Sequence, residues 1–319
     1  MKNTALLTAL AAMLVSCSIV TATDSSNGRF EIPAEATKKS EKLPRFDAIE
    51  TGGVLYVKYV KADRYSIELA SLDNGEIEKT EYRVENGTLT VQRMQNDITW
   101  TKHNNPEQVY VTITAPSLSA IRNGGVVRFF FDDITSDSFI LENSGASGII
   151  GKSLKASSTI NIENSGVSKM ALDKLQADKV SIDNSGSSSI AVSSISAASS
   201  ISVDNSGASK SSFSDLKATS AAIKSSGSSN LNITGIGVSH IAAKASGASK
   251  IALEGKAQDA DYDSSGSSKV DASNLECNIA NVESSGASSV KAYATNNAYV
   301  DSSRSSKVSI EGGANVVNK

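Results

Sequence analysis

From residue 145 onward the chain returns nine times to one small polar corner, at intervals of 18 to 21 residues. Taking the central residue as origin, copies stand at Gly145, Gly166, Gly186, Gly207, Gly227, Gly247, Gly266 and Gly286, with Arg304 in the ninth place. Asn123-Gly124-Gly125 is an earlier, degenerate copy. A fixed period of this length marks a stacked repeat architecture, in which each repeat buries its apolar face against its neighbours.

The pattern inside each repeat decides which solenoid this is. Six and four residues before the glycine stand Ile160 and Ile162, Val180 and Ile182, Ile201 and Val203. Four and six residues after it come Met170 and Leu172, Ile190 and Val192, Ile251 and Leu253. Period two on both flanks predicts strands with one buried face, where a helix would show a period of 3.6. The frame of a leucine-rich repeat is absent. The expectation is an all-β fold whose residues 119–319 form a parallel β-helix of nine or ten rungs, on the order of 45 Å long at about 4.8 Å per strand.

Within the corner, glycine supplies the positive φ or close approach of a tight turn, and serines on either side can bond backbone groups left unpaired by the bend. Asn143, Asn164, Asn184 and Asn205 share the parity of the buried residues, so their amides are placed to stack as an internal ladder. Three residues before the corner run Glu142, Glu163, Asp183, Asp204, Lys224, Lys244, Asp263, Glu283 and Asp301; three after it come Lys169, Lys210, Lys250, Lys269 and Lys307. Stacked carboxylates are potential Ca²⁺ ligands. The glycine-aspartate pattern of calcium-binding β-rolls is missing, however, and lysines lie nearby, so we read these files as solvated faces and assign no metal and no cofactor.

The first residues, MKNTALLTALAAMLVSCS, join one cation to an apolar run too short to span a bilayer, which is the pattern of a signal peptide. Leu14-Val15-Ser16-Cys17 resembles a bacterial lipobox, which implies cleavage before Cys17 and lipidation of it, giving residues 1–17 as signal and 18–44 as a flexible tether. Such a protein is held at the membrane by acyl chains. The expected location is the cell envelope, with the outer membrane favoured and its surface or periplasmic face left open. Cys277 then remains as a lone thiol with no cationic neighbour in sequence, and is read as packing. The net charge of -3 provides no basic field for nucleic acid.

Residues 45–118 read as a strand-rich block that starts and caps the helix. Strands are expected at Asp47–Glu50, Val54–Val60, Tyr65–Leu69, Ile77–Val84, Leu89–Arg93 and Val109–Thr114. Asp73-Asn74-Gly75 and Glu85-Asn86-Gly87 are turn signals, the second for a hairpin. "FDAIETGGVLYVKYV", "YRVENGTLTVQR", "VYVTITAPSLSAIRNGGV" and the glycine-serine rungs together resemble the putative auto-transporter adhesin, head GIN domain family, over roughly Phe46 to Ile310. That resemblance implies a right-handed parallel β-helix and a role in adhesion, and it offers no catalytic residues. Arg304 at the ninth corner and the polar insertion Gln95–Gln108 depart from the pattern.

Little in the chain suggests chemistry. Its two histidines, His103 and His240, are far apart in sequence, and no nucleotide loop or nucleophile elbow is present. The rival class is a polysaccharide-cleaving β-helix enzyme using Arg128, Asp132 and Asp133, but adjacent strand residues face opposite ways unless the chain bends there. The candidate contact residues are Trp100, His103 and Tyr110, which occupy or border the insertion, and Phe130, expected to point outward between the inward Phe129 and Phe131. The reading is a non-catalytic envelope lipoprotein that binds a glycan, host glycoprotein or cell-wall polymer. A structural spacer is the alternative. The oligomeric state is open.

Overall fold

The computed structural model describes residues 29–93 and 108–319, and residues 32–319 form one compact unit. Cys17, Trp100 and His103 lie outside the described residues. The strands are β1 (Thr37–Lys42), β2 (Ala48–Gly52), β3 (Val54–Lys61), β4 (Ser66–Ser71), β5 (Thr80–Glu85), β6 (Thr88–Arg93), β7 (Tyr110–Ala115), β8 (Ala120–Asn123) and β9 (Val126–Asn143). They continue as β10 (Gly148–Asn164), β11 (Lys169–Asn184), β12 (Ser189–Asn205), β13 (Lys210–Phe213), β14 (Leu216–Ser225), β15 (Asn230–Ala245), β16 (Lys250–Ser264), β17 (Lys269–Ser284), β18 (Ser289–Ser302), β19 (Lys307–Glu311) and β20 (Asn315–Asn318). A short helix, α1 (Asn74–Glu78), joins β4 to β5.

The expected architecture holds: the unit is a β-solenoid of about 10 turns with ~20-residue rungs. From β9 to β20 every inter-rung pairing is parallel, with register shifts in the long strands away from the glycine corner and matched rungs beside it, so that Ile162 sits on Ile182 and Ile182 on Val203. The buried column runs through the centre, from Phe129, Phe139 and Leu141 through Ile160, Val180, Ile201 and Ile223 to Ala280 and Ala298. Period-two alternation produces this directly, because each inward side chain meets its counterpart one rung away.

Rungs of unequal bulk are matched across the stack. Phe131 is an inward aromatic, and the next rung answers it with Gly151, where an added Cβ would overlap the Phe131 ring. Close packing of this kind leaves no spare volume on either side.

At the base the chain order departs from the spatial order. β2 lies between β6 and β8, and β3 lies between β7 and β9, all parallel. The strands at 88–93 and 110–115 thus lie below a pair made earlier in the chain. Beneath them the direction reverses: β4 runs antiparallel on β7, β1 antiparallel on β4, and β5 antiparallel on β6. These reversals cover the parallel edges at this end, where open ladders would invite pairing with other chains.

The hairpin at Glu85-Asn86-Gly87 forms as expected, with φ +49° at Asn86 and +78° at Gly87. Two sequence expectations are corrected. Residues 37–42, within the span read as a tether, are β1; they are wholly exposed, and the antiparallel pairing with β4 holds them as a strand. Ile77 belongs to α1 and not to a strand, because Asp73 caps the helix by accepting the Gly75 N–H at 2.7 Å, and β5 starts at Thr80. Arg93 and Lys79 both pair with the nearly buried Glu76, tying α1 to the end of β6. Burial pushes the Glu76 carboxyl upward, but the hydrogen bond from Lys79 and the charge of Arg93 hold it below its ordinary value.

Candidate functional site

The corner is the most regular feature of the surface. All eight glycines from Gly145 to Gly286 have φ between +69° and +75°. A Cβ on any of them would lie 2.6 to 3.0 Å from the carbonyl oxygen of the glycine one rung earlier. Each glycine carbonyl accepts the N–H of the residue that follows the next glycine, at 2.8 Å from Gly125 through Gly266. The file also extends below the repeats, where Gly125 stacks on Gly53 and Gly53 on Arg93. Gly53 was missed in the sequence, although Gly52-Gly53-Val54 repeats Gly124-Gly125-Val126.

Just inside the corner the amides stack. Asn123, Asn143, Asn164 and Asn184 each donate Nδ2–H to the Oδ1 of the next asparagine, at 2.8 to 3.0 Å, ending on Asn205. Thr51 donates into the lower end at 2.7 Å. Ser147, Ser168, Ser188 and Ser209 also donate to the Oδ1 of their own rung's asparagine. From Ser225 onward the file is made of small residues, with serine pairs such as Ser225 and Ser229 at 2.8 Å.

Outside the corner two charged stripes run along the stacking direction. One follows Arg122, Glu142, Glu163, Asp183 and Asp204, then turns cationic at Lys224 and Lys244 before Asp263 and Glu283. Its charges are partly paired: Arg122 with Glu142 at 3.3 Å, Lys244 with Asp263 at 2.6 Å. Burial and then the neighbouring Asp204 raise the Asp183 carboxyl above its usual range. Among the described residues no group of three or more His, Cys, Asp or Glu is placed to hold a metal ion.

The other stripe begins with aromatics. Tyr110, Tyr56 and Arg128 occupy successive rungs, with the tyrosine rings 5.5 Å apart and the guanidinium 5.5 Å from the centre of Tyr56. The Tyr110 hydroxyl donates to Gln108 at 2.7 Å. Stacked rings topped by a cation form a coherent electrostatic unit. Tyr56 was not singled out in the sequence; its place one rung from Tyr110 depends on the β3–β7 pairing, across 54 positions of chain.

Phe130 is corrected: its parity is outward, but it is 6% exposed. It is flanked by Lys58 and Ile150 in the adjacent rungs, and beside it Asp132 joins Lys58 at 3.3 Å to Lys152 at 2.5 Å. Phe130 is therefore not an exposed platform. The chain does bend at Asp132 and Asp133, since Phe131 and Ile134 on either side are both buried. Asp132 is nonetheless ill suited as a general acid. The hydrogen bond from Lys152, with Lys58 in support, holds its carboxyl below the ordinary range, whereas glycoside hydrolysis needs one raised carboxyl.

His240 lies 3.4 Å from Asp261, far along the stack from this bend. Cys277 is buried, its thiol donates to the Tyr293 carbonyl at 3.2 Å, and burial followed by Asp259 pushes it up to about 11. Neither makes a nucleophilic pair.

The family model for the putative auto-transporter adhesin, head GIN domain, matches residues 45–214 and 193–314. The chain belongs to this family. Solved structures of two bacterial proteins are similar to this chain along most of its length. A putative adhesin from Parabacteroides distasonis aligns over 89% of this chain and 94% of its own, with 16% identity and a TM-score of 0.51. A putative adhesin from Bacteroides fragilis aligns over 90% and 98%, with 15% identity and a TM-score of 0.44. A search of curated proteins finds no match. For this head GIN protein the likeness to the Parabacteroides distasonis structure is one of fold alone. No helix among the described residues is long and apolar enough to cross a membrane.

Proposed function

We propose that this chain is a non-catalytic cell-envelope lipoprotein, anchored through Cys17, whose solenoid binds a partner through its repetitive outer surface. The observation that carries this reading is the in-register repetition of outward files on both sides of the glycine corner, within a family described by adhesion. Polar and charged contacts at fixed intervals suit a repeating or multivalent partner, because weak contacts add when they engage together. Catalysis instead calls for one irregular site with opposed pKa shifts, and Asp132, the carboxylate nearest to that description, is shifted the wrong way.

Beads coated with the purified chain are expected to retain bacterial cell-wall polymer, glycan or host glycoprotein without turnover. Glycan cleavage lost in Asp132→Asn or Asp133→Asn would replace this reading with a lyase-like one. No retention on any surface would favour a spacer. Fractionation of cells carrying Cys17→Ala tests the anchor, which is expected to be lost, and protease shaving of intact cells separates the surface from the periplasmic face.

A further inference from the structure

Midway along the solenoid the two charged stripes stop opposing each other. One side of the corner carries Lys210, Asn230, Lys250 and Lys269 on consecutive rungs; on those rungs the other side carries Asp204, Lys224, Lys244 and Asp263, so the carboxylates give way to lysine at the Gly227 and Gly247 corners. Between them the corners at Gly227 and Gly247 present only serine, glycine and alanine, so a ligand can approach the backbone. Lys210, Lys224 and Lys250 are exposed and have no ion-pair partner among the described residues. Lys210, Asn230, Lys250 and Lys269 also line a shallow groove of about 280 Å³, together with Asp271, which pairs with Lys269 at 3.2 Å.

Resting on the binding-module reading, we infer that this lysine-flanked corner is the docking surface for a linear acidic polysaccharide carrying about one anionic group per disaccharide. The spacing selects the partner. Lys169, Lys210 and Lys250 stand on alternate rungs, roughly 9.6 Å apart at about 4.8 Å per strand. That is close to a disaccharide length, whereas duplex DNA carries a charge about every 1.7 Å and would leave most of its phosphates unmatched. Between the lysines stand Ser189 and Asn230, hydroxyl and amide groups suited to the neutral hydroxyls between a sugar chain's charges.

The test measures binding of the full chain to hyaluronan, to neutral dextran and to single-stranded DNA, at low and at physiological salt. Hyaluronan is expected to bind, with affinity falling as salt rises. The triple variant Lys210→Gln, Lys224→Gln, Lys250→Gln should bind it roughly tenfold more weakly, the combined effect of three solvated charge contacts. The triple variant Lys155→Gln, Lys174→Gln, Lys179→Gln removes the same charge from other exposed positions and should bind as wild type. Unchanged melting temperatures establish that both variants are folded. Equal weakening by the two variants, or equal binding to dextran, overturns the inference while leaving a binding module; tighter binding to DNA reassigns the surface to nucleic acid. Failure to bind these probes together with failure to be retained on any cell or cell-wall surface removes both readings.

Discussion

The Asn143 side-chain amide donates to the Oδ1 of Asn164 at 2.8 Å, and Asn164 hands the same bond on to Asn184. These amides are buried, so removing one leaves partners on both sides without it, and an orphaned buried polar group is expensive. Asn164→Ala is expected to lose roughly 2–4 kcal/mol, counting lost bonds and the vacated volume. Asn161→Ala, three residues away on the exposed side of the same strand, should change the melting temperature little. Similar losses for the two would remove the ladder from the account of stability.

At the corner, Gly207 has φ +72°, and a Cβ there would meet the Gly186 carbonyl oxygen at 2.7 Å. Gly207→Val combines a disfavoured backbone region with a clash and should lose about 3 kcal/mol or more. Lys210→Ala, which removes one solvated charge, should stay within about 0.5 kcal/mol. Thermal melting of the two variants decides the matter.

Phe131 and Gly151 should behave as one unit. Gly151→Leu alone overpacks the core by roughly 1–3 kcal/mol or more, and Phe131→Leu alone leaves space unfilled. The double variant is expected to recover much of the loss, giving a coupling energy of at least about 1 kcal/mol in a double-mutant cycle. Additive losses would mean that the two residues do not share this volume.

Asp183 supplies a pH test. Its carboxyl is raised in the folded state by burial and by Asp204, so folding favours its protonated form. Its ionisation therefore destabilises the fold: the favourable contribution is present below the unfolded carboxylate pKa and is lost as pH rises through the higher folded value. Asp183→Asn should stabilise at neutral pH by a few tenths of a kcal/mol, the scale of a partly solvated contact, and the gain should vanish below about pH 4. A gain that persists or grows in acid would contradict this assignment.

The Tyr262 hydroxyl is buried and, among the described residues, has no hydrogen-bond partner. Burial, followed by Cys277 and Asp261, pushes its pKa far above the ordinary tyrosine value. Tyr262→Phe keeps the ring and removes the unsatisfied group, so stability should hold or rise by about 1 kcal/mol. A loss of similar size would show that the hydroxyl has a partner in solution.

The solenoid was legible because its rules are local. A glycine every 19 to 21 residues and period-two alternation determine rung length and facing, and the asparagine parity placed Asn143 through Asn205 inside. The base was less legible, since no local pattern states that Ala48–Lys61 will lie between two segments that follow it. Phe130 failed for a related reason: parity gives direction, while exposure also depends on Lys58, 72 residues earlier, and on Ile150 in the next rung. The cationic patch was visible only as lysines in separate files, and its meaning depended on the stacking that sets Lys224 and Lys244 one above the other beside Lys250.

The interposed position of β2 and β3 bears on how the molecule is made. A ribosome delivers Ala48–Lys61 before Thr88–Arg93 and Tyr110–Ala115, yet the earlier strands need the later ones as their floor. A nascent chain cannot wind up from its first strand like thread on a spool. β2 has no floor until residue 93 has emerged and β3 none until residue 115, and only then can successive coils be added in the order of translation. Under the proposed envelope location that delay is useful, because a chain that has not yet closed its base is still one that a secretion channel can thread.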